Sequence, residues 1–116
     1  PDDLRQRVCL TEPMDYPALI SLLQRCYFTL TDSGGIQEEA SALRRPVLIA
    51  RDSTERQELV EAGGAVLVGT DIRRMVTEAA RLLRDDGAYR SMQLESSPFG
   101  DGHTAQHIAD RLCTVD

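Results

Sequence analysis

The sequence has no lysine, no tryptophan and no long apolar run, and aromatic residues make up only 4% of the chain. Its 19 acidic residues outnumber the 13 basic ones, all of them arginine, so the net charge at pH 7 is −6. We therefore do not expect nucleic acid as a partner, because phosphate backbones bind basic surfaces and this chain is acidic. A membrane span needs roughly 20 consecutive apolar residues, and no run of that length occurs. Since no signal-peptide pattern is present either, the sequence predicts a cytoplasmic protein without a membrane contact.

Cysteine is also scarce: Cys9, Cys26 and Cys113 are odd in number and show no Cys-x-x-Cys spacing. Each lies in an apolar pattern, so we expect three small buried thiols rather than a disulfide framework. His103 and His107 are four residues apart, but no nearby Glu or Cys completes a metal-binding set. The sequence therefore predicts neither a metal nor a cofactor.

At 116 residues the chain holds one domain at most, near the lower size limit of a doubly wound α/β unit. Short apolar runs alternate with helical patterns, which predicts a parallel sheet flanked by helices. The predicted strands are Val8–Leu10, Tyr27–Leu30, Pro46–Ala50 and Ala65–Val68. Asp15 and Asp71 are predicted helix caps. The helix after Asp71 is predicted to bury Ile72, Met75, Val76, Ala79, Ala80 and Leu83.

The stretch Thr29–Ala40 contains the strongest candidate site. A buried strand ends in a glycine turn, and a helix begins directly after it. The first N–H groups of a helix have no partner within the helix and carry the positive end of its dipole, so they can bind an anion. Gly34 and Gly35 lack a Cβ and would let a phosphate approach the main chain. The alternative is that Ser33 only caps the helix and the glycines only form a turn.

Two carboxylates follow the glycine turn on different sides of the predicted helix. If Ile36 faces the core, Glu38 lies on the far side of the helix. Glu39 flanks the apolar seam one turn above the glycines. A carboxylate at that position is suited to accept both hydroxyl groups of a ribose whose phosphates rest on the turn.

The loop after Ala50 is a second candidate, because ligands collect at the carboxyl ends of the strands in open α/β sheets. Loops after Leu30 and Ala50 should thus face one crevice. The planar guanidinium of Arg56 could close over a pyrophosphate from the side opposite Gly34 and Gly35. The alternative is a surface Arg56 paired with Glu58 or Glu61. Thr54 and Gln57 have the spacing of a capping box, which assigns Thr54 to the start of a helix.

The segment from Asp32 to Ala40 closely resembles the Asp-Ser-Gly-Gly-Ile-Gln-Glu-Glu-Ala segment of the UDP-N-acetylglucosamine 2-epimerases. Five further segments are similar to that family in the same order and at compatible spacing, so the resemblance spans nearly the whole chain. They are Arg45–Leu48, Arg51–Arg56, Glu61–Gly63, Val68–Asp71 and Gly100–Gly102.

The resemblance implies that residues 1–116 are a partial, UDP-binding C-terminal Rossmann-like domain of a two-domain glycosyltransferase-B-type fold. The N-terminal half of the parent enzyme would be absent. The implied reaction interconverts UDP-N-acetylglucosamine and UDP-N-acetylmannosamine by elimination and re-addition of UDP, without a cofactor. The implied partners are UDP and a UDP-N-acetylhexosamine, and the parent enzyme would be a homodimer. The family's acid–base carboxylates would lie in the absent half, so we expect no turnover from this chain alone.

The UDP-binding residues that the resemblance implies are Met14, Leu19, Ser33, Gly34, Gly35, Glu39 and Arg56. Met14 and Leu19 would border the uracil ring. Leu19 replaces an aromatic residue of the family, and ordinary core packing is its alternative role. The turn at residues 33–35 and Arg56 would hold the diphosphate and stabilise the leaving UDP, which is the one catalytic role assigned to this chain. Glu39 would bind the ribose.

The segment Ser97–Gly102 is similar to the family's Asn-Pro-Tyr-Gly-Asp-Gly, with Ser97 and Phe99 in place of the Asn and the Tyr. Two side-chain hydrogen bonds of that pattern are lost or rerouted by these replacements.

Two other functions fit the same residues. The first is the C-terminal domain of a UDP-sugar glycosyltransferase, since such enzymes share the two-domain architecture. The second is a non-enzymatic, flavodoxin-like α/β module whose Gly-Gly turn is only a turn. An assay with UDP-N-acetylglucosamine and no acceptor separates an epimerase from a glycosyltransferase, because only the epimerase forms the manno isomer.

Overall fold

The computed structural model describes residues 2–95, 98 and 104–113. Its sheet has three parallel strands, β1 (Thr29–Thr31), β2 (Val47–Ile49) and β3 (Ala65–Leu67), in the order β1-β2-β3. Leu30 is paired with Leu48, and Leu48 with Val66. Each strand is joined to the next by a helix, as parallel strands require. The predicted parallel α/β sheet is confirmed.

The described helices are α1 (Asp2–Gln6), α2 (Tyr16–Arg25), α3 (Gly34–Ala42), α4 (Gln57–Glu61), α5 (Ile72–Arg84), α6 (Asp86–Ser91) and α7 (Thr104–Cys113). Both predicted caps are confirmed: Asp15 accepts from the Ala18 N–H at 3.0 Å, and Asp71 accepts from the Arg73 N–H at 2.9 Å. In the part of the chain that the structure covers, no helix has the length and apolar character that a membrane span requires.

The two faces of the sheet have separate apolar cores, because successive residues of a strand point to opposite faces. β2 is buried on both faces. One face carries the cluster of Leu23, Ala40, Val47, Ile49, Leu59 and Ala65, to which α2, α3 and α4 contribute. The other face carries Leu48, Val68, Leu82 and Tyr89, to which α5 and α6 contribute. The glycine turn therefore begins a helix that is packed firmly onto the first face.

The predicted strand Val8–Leu10 is wrong. These residues have no regular structure, and the side chains of Val8 and Leu10 are 64% and 94% exposed. A short apolar run becomes a strand only where another strand pairs with it, and the three described strands pair with one another alone. Cys9 lies in this segment and is exposed, so its prediction as a buried thiol is wrong as well.

Of the two remaining cysteines, the structure describes the side chain of Cys26 only. Cys26 is half-buried, and burial raises the pKa of its thiol, although the positive charge of Arg45 acts in the opposite direction. The side chain of Cys113 lies outside the described residues.

The predicted buried face of α5 is only partly correct. Met75 and Ala79 pack against the second core, and Leu82 is fully buried there. Ile72, Val76 and Leu83, which were predicted to be buried, are exposed. Apolar residues cover more than one side of this helix, and the sheet contacts a single stripe of it, so the pattern alone does not fix the rotation of the helix.

Candidate functional site

The glycine turn leads from β1 into α3 and has the geometry of a capped helix start. The Ser33 hydroxyl accepts a hydrogen bond from the Ile36 N–H at 3.4 Å, and the Ser33 N–H donates to Thr31 Oγ1 at 3.0 Å. Ser33 is therefore the helix cap, as the simpler interpretation expected. Across residues 2–95, however, neither Gly34 nor Gly35 has a hydrogen-bond acceptor for its N–H. These two amides are available to an external anion.

The guanidinium of Arg56 lies directly against Gly34. A Cβ added to Gly34 would stand 2.5 Å from Arg56 Cζ, a distance at which one of the two groups must move. A Cβ added to Gly35 would meet only the Ser33 hydroxyl, at 3.9 Å. The structure thus brings the glycine turn and the Arg56 loop together, as the sequence predicts. The guanidinium, however, lies against Gly34 itself and not on the side opposite it, so that part of the prediction is wrong. The structure combines backbone N–H donors with a cation at one point on the surface.

Arg56 is paired with two carboxylates, neither of which was expected. Its Nε lies 3.2 Å from Glu38 Oε1, and its Nη1 lies 3.5 Å from Glu55 Oε2. The alternative interpretation named Glu58 or Glu61 as its partner, and that interpretation is wrong. The sequence analysis placed Glu38 on the far side of α3 and did not connect it with Arg56. The two residues are 18 positions apart, so no local pattern signals their contact.

A buried hydrogen bond holds the Arg56 loop against α3. Thr54 Oγ1 donates to Gln37 Oε1 at 2.9 Å and accepts from the Arg56 N–H at 3.0 Å. Gln37 and Thr54 are both buried. The predicted capping box is wrong, because α4 begins at Gln57 with Arg56 as its cap residue and without a side-chain cap. The Thr54 hydroxyl instead fixes the backbone that carries the guanidinium.

We expect Thr54→Val to lower the free energy of unfolding by about 1–3 kcal/mol, because it leaves the buried Gln37 oxygen without a donor. Thr54→Ser is the matched control: it keeps the hydroxyl and should cost less than about 1 kcal/mol. Urea denaturation of the 116-residue chain measures both. Equal losses from the two variants would show that the methyl group matters and the hydrogen bond does not.

Glu39 is half-buried and contacts α2. Its Oε1 accepts a hydrogen bond from the Tyr16 hydroxyl at 2.8 Å, across 23 positions of sequence. This hydrogen bond to the carboxylate, more than partial desolvation or the carboxylate's charge, raises the pKa of Tyr16. Tyr16 was not among the predicted site residues. Its only signal was its place in the first turn of a helix that follows Met14, a predicted uracil contact.

The two predicted uracil contacts lie on and just before α2. Met14 is exposed in the segment that precedes the helix, and Leu19 packs against the first core cluster. Core packing, the alternative role of Leu19, is thus what the structure shows, and its contact with uracil stays a prediction. Ser97, Phe99, the Gly100–Gly102 segment and His103 lie outside the described residues, as does the side chain of His107.

A sequence profile of the UDP-N-acetylglucosamine 2-epimerase family matches residues 2–113. A curated UDP-N-acetylglucosamine 2-epimerase of Yersinia pestis is 47% identical over 105 residues, which are 90% of this chain and 28% of that protein. The chain thus spans about 28% of the length of this curated relative.

Solved structures show the same relationship. The Staphylococcus aureus MnaA–UDP co-structure superposes with a TM-score of 0.85 at 40% identity, over 91% of this chain and 29% of that one. The UDP-GlcNAc 2-epimerase of Neisseria meningitidis bound to UDP-GlcNAc gives a TM-score of 0.82 at 36% identity, over 90% and 28% of the two chains.

Proposed function

The chain belongs to the UDP-N-acetylglucosamine 2-epimerase family, and from this we propose that it is the C-terminal, UDP-binding part of a longer epimerase. Its parallel sheet flanked by helices confirms the predicted Rossmann-like, glycosyltransferase-B-type fold class. The proposed enzyme interconverts UDP-N-acetylglucosamine and UDP-N-acetylmannosamine. The binding of UDP and UDP-GlcNAc in structures of relatives supports this substrate class. A homodimeric parent enzyme in the cytoplasm remains a further part of the proposal.

The observation that carries the proposal is the position of the Arg56 guanidinium against Gly34. A diphosphate resting on the Gly34 and Gly35 amides would have a cation beside it, and charge-assisted hydrogen bonds are the strong ones. Glu39 lies on the same helix, one turn further from the phosphates, and would accept the ribose hydroxyls. Met14 and Leu19, which lie before and on α2, would contact the uracil ring.

In the proposed reaction the proton at C2 is removed, the bond between C1 and the UDP oxygen breaks, and a glycal and UDP result. Re-addition of UDP to C1 and of a proton to C2 on the other face gives the epimer. Negative charge grows on the departing diphosphate as the bond breaks. Backbone amides and a guanidinium placed at that charge stabilise the transition state more than the ground state. This chain would therefore contribute to catalysis by stabilising the leaving group.

The proton transfers at C2 require groups from elsewhere in the longer enzyme. Of the two carboxylates on α3 beside the turn, Glu38 pairs with Arg56 and Glu39 accepts from Tyr16. Each of these carboxylates thus has a partner within this chain, and the family resemblance implies no acid–base role for either. The proposal thus assigns the acid–base residues to the part of the enzyme that this chain does not contain.

The proposal predicts no epimerase turnover from the 116-residue chain and clear turnover from a chimaera. In the chimaera this chain replaces the matching segment of the Yersinia pestis relative. The assay supplies UDP-N-acetylglucosamine without an acceptor and measures the manno isomer by NMR. The isolated chain should bind UDP weakly, with a Kd on the order of millimolar, because most of the cleft is missing.

Two results would contradict this assignment. Turnover by the isolated chain would place acid–base groups within it. A UDP titration that leaves the amide resonances of residues 33–39 unchanged would remove the nucleotide from the glycine turn. The family profile and the relatives above are epimerases, so neither the glycosyltransferase nor the flavodoxin-like module is proposed.

A further inference from the structure

Tyr16 makes a contact that burial does not explain. The residue is 61% exposed, yet its hydroxyl donates to Glu39 Oε1 at 2.8 Å. An exposed phenol gains little from packing and could as well bind water. The contact instead connects the first turn of α2 with the middle of α3, two helices that pack on the same face of the sheet.

The hydrogen bond occupies only part of what Glu39 can accept. A carboxylate has about four lone-pair positions on its two oxygens, and Tyr16 takes one of them. Glu39 Oε2 has no hydrogen-bond partner within the described ranges. Enough acceptor capacity remains for the two adjacent hydroxyls of a ribose. A tyrosine phenol is protonated at neutral pH in any case, and the hydrogen bond to Glu39 shifts the pKa of Tyr16 upward, so the hydroxyl is a donor there.

We propose that Tyr16 is a positioning residue that orients Glu39 for the ribose, an inference that rests on the nucleotide site proposed above. Through Glu39 it makes the site prefer ribonucleotides over 2′-deoxyribonucleotides. A glutamate side chain has three rotatable bonds, and ordering it on binding costs conformational entropy. Tyr16 orders the carboxylate before the ligand arrives. It acts on the ligand through Glu39 and not by direct contact.

The same bond connects the segment proposed to bind uracil with the helix proposed to bind the ribose. Tyr16 follows Met14 by two residues and begins the helix that carries Leu19. Glu39 lies on the helix that begins at the glycine turn. The Tyr16–Glu39 bond therefore links the segment proposed for uracil to the helix proposed for ribose and diphosphate, two elements whose spacing is set by the core between them.

The test compares UDP with 2′-deoxy-UDP, titrated by NMR into the 116-residue chain and its variants. We expect the unsubstituted chain to prefer UDP by about tenfold, since a charged hydrogen bond to the 2′-hydroxyl is at stake. Tyr16→Phe should reduce that preference to about threefold, and Glu39→Ala should abolish it. The double variant should behave as Glu39→Ala alone, because Tyr16 acts through Glu39.

Tyr27→Phe is the matched control, since it deletes the hydroxyl of another exposed tyrosine, whose ring stacks on Tyr89 away from this contact. Its preference should equal that of the unsubstituted chain. A purely structural role for Tyr16 would weaken both ligands equally and leave their ratio unchanged, and that result overturns the inference. If the unsubstituted chain binds neither ligand, the proposed nucleotide site itself is wrong and the inference fails with it.

Discussion

Gly34→Ala is expected to abolish detectable UDP binding by the chain while leaving its free energy of unfolding nearly unchanged. Gly34 is the first residue of α3 and does not have a left-handed φ, so its backbone accepts an alanine. Its new methyl group would stand 2.5 Å from Arg56 Cζ. The guanidinium is the end of a flexible side chain and can move away. That movement removes the cation from the turn, and the methyl group would occupy space proposed for the phosphate.

Stability should stay nearly constant because two small effects oppose each other. Alanine is favoured over glycine in a helix by roughly 0.5–1 kcal/mol. The lost ion pairs of Arg56 involve exposed carboxylates, and such pairs contribute about 0–1 kcal/mol. The binding loss should reach about 3 kcal/mol, on the order of 100-fold. NMR titration with UDP and urea denaturation of the same samples measure both quantities.

Gly35→Ala is the comparison that isolates Arg56. The Cβ of that variant would contact only the Ser33 hydroxyl, at 3.9 Å, so the guanidinium keeps its place. Its binding loss should be clearly smaller than that of Gly34→Ala. Equal losses would mean that the closeness of the main chain matters and the position of Arg56 does not. A large drop in stability of Gly34→Ala would instead show that Arg56 cannot move.

The parts of the fold that could be predicted from sequence are those whose signals are local. The strand, glycine turn and helix at residues 29–42 each have their own pattern, and the parallel direction of β1 and β2 follows from the helix that joins them. The meeting of the Arg56 loop with the glycine turn also followed, because loops at the carboxyl ends of neighbouring parallel strands meet. The direct contact of the guanidinium with Gly34 did not follow from it. These predictions needed only the chain's local order and the general rules for parallel sheets.

The contacts that the sequence analysis missed join residues far apart in the chain. Thr54–Gln37 and Tyr16–Glu39 link positions 17 and 23 apart, and no periodicity marks such pairs. The wrong strand at Val8–Leu10 has the opposite cause. Its local pattern is that of a strand, but within residues 2–95 no strand pairs with it. The state of such a segment depends on what lies beside it and not on its own residues.

Arg56→Ala is expected to have the second large effect. The effect should be confined to ligands that carry phosphates. UDP affinity should fall by at least about 30-fold, to the limit of detection or below it, because charge-assisted hydrogen bonds to a diphosphate are lost. Uridine has no phosphate, so its affinity should not change. Arg56→Lys should give an intermediate loss, since it keeps the charge but not the planar fork. An equal fall for UDP and uridine would show that the substitution had disturbed the uracil or ribose contacts.

The two carboxylates that pair with Arg56 lead to a related prediction of opposite sign. Glu38 and Glu55 outnumber the guanidinium in charge, so a diphosphate must compete with them for the same N–H groups. Glu38→Gln removes the nearer competing charge at constant shape and should strengthen UDP binding about threefold. Arg56→Ala should weaken it, so the two ends of one ion pair are expected to have opposite signs. If Glu38→Gln weakens binding instead, Glu38 supports the guanidinium in its binding position, and the exchange of partners does not occur. Titrations of both variants with UDP and uridine measure these outcomes, because only UDP carries the phosphates that the guanidinium would bind.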